Sequence, residues 1–296
     1  MLDAFRAFGL RTRWQPEANV ICPQRVEAEL LARKLGPGGP WDGRDADLAA
    51  QMAVLMLPVG GQHLAGMAAL LRSCEVIFPL APLVRSLLEV CGRITWLLDP
   101  RVANPRHRAA RLMLARIDDA TRAKSLAYAL GQERDGSRLG QTLRDLRRRE
   151  LGGRFYGSEV VPLANGGLII AEQSLPGLRQ SVAILDEVHD EAWNAGGLYD
   201  YLSAASHPTL RIAVEMLDRE SVLAAAESAQ DLASEARAIN FRLPDMNYPR
   251  VLMRNATLTF LQTWALTASY HGVTTPELDE LGNRIDRLTS STDAQP

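Results

Sequence analysis

Apolar residues recur at helical spacing along most of the chain, most clearly between positions 79 and 98. Leu83, Leu87, Leu88, Cys91, Ile94 and Leu98 share one broad face there, the signature of a helix with a core-facing stripe. Asp99 and Pro100 stop it. Upstream, Pro23 suits the first turn of a short helix over 23–35, and the run GPGGPWDG at 36–43 breaks that helix. A longer helix follows, with Asp42 or Asp45 as its amino-terminal cap. The cluster Pro58, Gly60 and Gly61 is expected to bend or interrupt it, because proline removes a hydrogen-bond donor and glycine weakens the turn. Asn104 followed by Pro105 starts the next helix, which should run to about Leu130 ahead of Gly131. An arginine-rich helix over 137–151 comes after it.

The pattern changes at 152–177, which is rich in glycine and proline. Two β-prone runs flank Asn165 and Gly166 in EVVPLANGGLIIAE, so a small hairpin is expected. Helices resume at about 176–194, 197–206, 209–238, 249–271 and 275–289, with Gly196, Pro208, Pro244, Pro249, Gly272 and Pro276 as punctuation. The fold class this implies is all-α, a multi-helix bundle with a small irregular or β-hairpin insert near 152–177. Residues 1–20 read as an amino-terminal arm, 21–290 as one helical domain and 291–296 as a frayed tail.

Composition narrows the picture further. A chain of 296 residues that is 47% hydrophobic has the apolar material for a full core. Cys22, Cys74 and Cys91 form no CxxC pair, which speaks against a disulfide framework or a thiolate zinc site and for a reducing, cytoplasmic setting. The amino terminus carries Asp3 early and lacks the apolar run of a signal peptide. Pro58 to His63 interrupt one apolar stretch, and Arg85, Glu89 and Arg93 another. Neither then offers the roughly 18 apolar residues that a membrane span needs.

The net charge of −2 conceals an uneven distribution. Residues 101–154 hold 14 basic and 6 acidic side chains, whereas 155–296 hold 9 and 19. A basic segment of this kind, with Arg101, Arg106, Arg108, Arg147 and Arg148, is the usual footprint of a nucleic-acid or acidic-protein partner. The alternative is that oppositely charged segments face each other in the fold and neutralise one another. The pattern alone leaves both open.

Two constellations carry candidate chemistry. Arg85, Glu89, Gly92 and Trp96 follow one another at steps of four, three and four, so they share a narrow stripe of the 79–98 helix. Arg85 there could clamp an anion with Glu89 orienting it, or the two could form an ordinary intrahelical ion pair. In LYDYLSAASHPT at 198–209, Asp200, Ser203 and His207 line one helical side. A serine hydrolase is rejected, because the flank of a regular helix supplies no oxyanion hole and no GxSxG elbow is present. Ser203 is instead expected to bond back to its own helix, with His207 ending that helix before Pro208. Asp186 and His189 sit one turn apart as in half of a di-iron helix, but no second copy exists. No metal site and no cofactor are expected. Trp96, Trp193, Tyr201 and Trp264 could line a small-ligand pocket between helices, although aromatics at helical spacing usually fill a core.

Arg85, Glu89 and Trp96, taken with Tyr199, Leu202, Ser203 and His207, resemble an uncharacterised family of bacterial helical proteins related to the HEPN domains. That resemblance implies a compact helical bundle that dimerises and acts in RNA-linked defence or stress responses. It implies a non-catalytic module binding nucleic acid or protein or, alternatively, a metal-independent endoribonuclease. In the latter His207 would be general base, Arg85 would hold the phosphate, and Tyr199 or Ser203 would position the attacking hydroxyl, with Glu89 in support. The sequence departs from the ribonuclease pattern of an arginine four to six residues before a histidine: no arginine stands at that distance before His207. The only formal match, Arg101 with His107, straddles Pro105.

Overall fold

The computed structural model describes residues 20–41, 43–73, 80–164, 166–189, 194–206 and 248–275, together with Trp14, Leu278, Glu280 and Leu281. The expected helix at 209–238, most of that at 275–289, the two terminal segments, Cys74, Trp193 and His207 lie outside the described residues.

The fold is all-α with a small β insert. The helix read most easily from the sequence is its hub: α3 (Leu80–Leu98) buries Leu87, Leu88, Cys91, Ile94 and Leu98 as its periodicity requires. Among the described residues the helices that pack on it most extensively are α2 (Arg44–Ser73), α7 (Leu178–Val188), α8 (Ala195–Ala205) and α9 (Tyr248–His271). Such a helix is nearly surrounded, which is why its polar stripe narrows to a few positions.

The expected interruption of α2 does not occur; the helix runs unbroken through Pro58. Pro58 points outward, and Gly60 serves packing instead of weakening the turn. A Cβ at Gly60 would lie 3.0 Å from the Phe260 ring and 3.2 Å from Leu87, so the missing side chain lets α2 approach α9 and α3. Tertiary packing outweighs local propensity here. Unbroken, Arg44–Arg72 is also long and apolar enough to cross a bilayer by length and composition, contrary to the expectation from its interruptions. One side of it packs on α3 and α9, while Leu55 and Val59 on the other side are exposed.

The start of α4 (Pro105–Ala129) follows the capping rule. The Asn104 side chain accepts from the Arg106 amide at 3.1 Å, and Gly131 at φ +71° follows the helix end. The next helix, α5 (Glu133–Asp145), begins four residues earlier than expected, with Glu133 and Asp135 placed favourably in its first turn. It continues through a π-helical stretch, Leu146–Leu151, into a last turn, α6 (Gly152–Arg154). Ahead of α2, α1 (Pro23–Ala32) leads into a two-stranded hairpin, β1 (Leu35–Gly36) with β2 (Gly39–Pro40).

The insert is a three-stranded antiparallel sheet, β3 (Val160–Pro162), β4 (Leu168–Ile170) and β5 (Gln173–Ser174), in that order. The hairpin expected around Asn165 and Gly166 joins β3 to β4, with Gly166 at φ +81°. The second turn was not legible from composition: Ala171 (φ 45°) and Glu172 (φ 66°) form a two-residue connection with both residues left-handed, where Asn-Gly is the usual choice. Ile170 is fully buried and anchors the sheet, and Arg111 donates to the Gln173 side chain at 2.8 Å.

A buried ionic knot fastens α1, α3, α4 and α9. Arg108 donates from Nε to both Glu27 oxygens at 2.8 and 2.9 Å and to the carbonyls of Leu97, Asp99 and Val102, satisfying the end of α3. The Tyr270 hydroxyl donates to Glu27 at 2.8 Å from the far side.

Candidate functional site

The stripe on α3 divides in two. At its amino-terminal end Arg85 Nε donates to Glu89 Oε1 at 3.0 Å, and the Tyr199 hydroxyl from α8 donates to the same oxygen at 2.8 Å. Arg85 also donates to the Tyr199 oxygen at 3.4 Å, and its guanidinium lies 5.4 Å from the ring centroid. Three of the expected site residues thus converge. At the other end the stripe is interior. Gly92 allows α7 to press against α3, since a Cβ there would meet the Ser181 carbonyl oxygen at 2.5 Å. Trp96 is buried beneath the Arg111 guanidinium.

Ser203 does not join the triad and does not bond back to its helix. Its hydroxyl oxygen is buried with no hydrogen-bond partner among the described residues, and it is Ser206 that donates to the Leu202 carbonyl. Asp200 is exposed and paired with Arg179. Asp186 accepts from the amides of Ala195 and Gly196, capping α8, which removes it from any metal role. Burial pushes the neighbouring His189 down to about 4, and no cluster of metal-ligating side chains occurs among the described residues. Of the aromatic residues expected to line a pocket, Trp264 is fully buried core, Tyr201 is exposed at the surface, and Trp193 lies outside the described residues.

Glu89 also faces a recess that sequence reasoning missed. Between α2, α3 and α4 lies a cavity of about 320 Å³, lined by Met52, Met56, His63, Ser86, Glu89, Val90, Arg93, Ala115 and Asp119. Met52, Met56 and His63 fall on one face of α2 at offsets of four and seven, a signal visible in the sequence. It was obscured because that stretch reads as a simple apolar helix.

The recess has an uneven distribution of spent and unspent polar groups. Both bonds to Glu89 use Oε1, and no described residue bonds to Oε2. No hydrogen bond or ion pair joins the His63, Ser86 or Asp119 side chain to another described residue, although the Arg93 and Arg122 charges act on Asp119. Arg93 donates to Asp118 at 3.5 Å, and Asp118 is shared with Arg122 at 2.9 Å. Burial holds the His63 imidazole below its ordinary range, opposed by the Glu89 charge, so the ring is neutral at pH 7. Burial, and then the Asp118 charge, raise the Asp119 carboxyl. Burial likewise raises the Tyr199 phenol, reinforced by its bond to Glu89. For Arg85 burial disfavours the charge, but the bonds to Tyr199 and Glu89 outweigh it and raise its pKa.

No family model, curated protein or solved structure matches this chain.

The basic segment is largely consumed by the fold. Arg101 pairs with Asp99 and Glu187, Arg106 with Glu159, Arg108 with Glu27, Arg111 with Asp99, Arg116 with Glu150 and Arg154 with Asp45. The neutralising partners come from both sides of the segment in sequence. Of the five arginines named from the charge pattern, only Arg147 and Arg148 are exposed with no carboxylate partner among the described residues.

Proposed function

We propose that this chain is a helical small-ligand-binding protein whose site is the Glu89 recess. The observation that carries this reading is the clustering of unspent polar groups, Glu89 Oε2, His63, Ser86 and Asp119, around a cavity whose remaining wall is chiefly apolar. Its volume stands at the lower end of the several hundred Å³ typical of small-molecule pockets. The Arg85–Glu89–Tyr199 triad supports it from behind. Two hydrogen bonds fix the Glu89 carboxylate, leaving its second oxygen preorganised for a ligand.

The endoribonuclease reading receives less support. Tyr199 is a protonated phenol whose hydrogen is given to Glu89, and Arg85 is bonded to both neighbours instead of standing free for a phosphate. His207 lies outside the described residues.

Native mass spectrometry of protein purified from its own host tests the proposal. A noncovalent small-molecule adduct is expected on the natural protein and absent from a folded Val90→Trp variant, whose indole fills the recess. An adduct retained by Val90→Trp would remove the recess from the function.

A second reading keeps the HEPN-like nucleic-acid-binding module and is favoured by Arg147 and Arg148, both exposed. It requires RNA affinity that falls steeply with salt and is lost on Arg147→Ala/Arg148→Ala. Affinity unchanged between low and moderate salt would reject it.

A further inference from the structure

We infer that the recess takes an organic amine cation, its ammonium held by Glu89 and Asp119 and its apolar body lying against Met52, Met56 and Val90. This rests on the ligand-binding reading above and adds the ligand class to it.

Most charges around the recess already have partners. Arg85 is bonded to Glu89 and Tyr199, while Arg93 and Arg122 both reach Asp118. Asp119 forms no ion pair with any described residue, and Glu89 keeps one oxygen unbonded. Two carboxylates with unspent acceptors therefore face one cavity. Glu89 is paired with Arg85, and Arg93 acts on Glu89 and Asp119 without forming an ion pair with either; a positive charge in hydrogen-bond contact with Asp119 and Glu89 Oε2 gains more in this half-buried site than it would in bulk water. An anionic ligand approaching Arg93 would meet Glu89, Asp118 and Asp119 together. A neutral His63 adds no positive charge to repel an amine, and Ser86 offers a third acceptor for the three donors of an ammonium.

The remaining wall decides the rest of the ligand. Met52, Met56, Val90 and Ala115 present only carbon and thioether sulfur, and the methionines adapt to the shape of an alkyl or aryl body. Hydrated inorganic cations gain nothing from such a wall. An amine with an apolar body uses both halves of the recess.

Methionine methyl NMR on the full chain tests this directly, with hexylamine, hexanol and hexanoate as matched probes. Met52 and Met56 report from the recess, and the buried Met67 and Met113 serve as core references. Hexylamine is expected to shift the Met52 and Met56 signals with a Kd about tenfold or more below those of hexanol and hexanoate. Asp119→Asn, which removes one of the two carboxylates and leaves the Arg85–Glu89–Tyr199 triad intact, should abolish that preference; a preference for hexylamine retained by Asp119→Asn would overturn the assignment of the ammonium to Asp119. Equal affinity for hexylamine and hexanol would overturn the amine assignment while leaving the ligand-binding reading standing. Met52 and Met56 signals unmoved by all three probes would overturn both.

Discussion

Tyr199 shows how much of the site depends on single atoms. Its hydroxyl hydrogen goes to Glu89 and its oxygen receives Arg85, so Tyr199→Phe removes two partners and leaves the ring in place. A loss of about 1 kcal/mol is expected in chemical denaturation, together with weaker ligand binding as Glu89 becomes free to turn. Gly92→Ala acts through packing. The added methyl meets the Ser181 carbonyl, and separating α3 from α7 should cost about 1–3 kcal/mol. Arg108→Ala is the severe case, because it strands Glu27 in the interior; a loss of about 3–5 kcal/mol is the expected result. The sequence displayed Arg85, Glu89 and Tyr199 because they break apolar faces at helical spacing. Arg108 was legible only as part of a basic run, since nothing local announces that Glu27 lies opposite it.

Among the elements, the legible ones have local causes. The α4 start is written in Asn104-Pro105, and the α3 core face in its leucine spacing. The continuity of α2 through Pro58 and the second turn of the insert were not legible, because their causes are tertiary. Gly60 is required by Phe260 and Leu87, which are distant in sequence. Pro58, being exposed within a continuous helix, should be dispensable; Pro58→Ala is expected to raise stability by about 1 kcal/mol, read from the denaturation midpoint. In the insert, Ala171 and Glu172 hold left-handed conformations suited to Asn-Gly. The double change Ala171→Asn/Glu172→Gly should stabilise by about 1 kcal/mol, and a loss of stability would contradict the strain assigned to that turn.

For the whole molecule, charge is organised inward. Acidic side chains from both flanking segments take up most of the positive excess of 101–154, so the recess is a more distinctive surface feature than the basic segment. Buried and half-buried imidazoles contribute to the pH response. Burial depresses His63, His189 and His271 below their ordinary value, His189 to about 4. The unfolded chain therefore binds these protons more readily than the native one. Stability attributable to them is present in full above about pH 6.5 and is lost as pH falls from there toward 4. A melting temperature that stayed flat over that interval would contradict the burial assigned to these rings.

The most direct measurement is a crystal structure of the natural protein purified from its own host, inspected for difference density. Density for a small organic molecule is expected between Met56 and Val90, in contact with Glu89 Oε2. A recess filled by solvent alone, with a nucleotide or peptide ordered against Arg147 and Arg148, would contradict it.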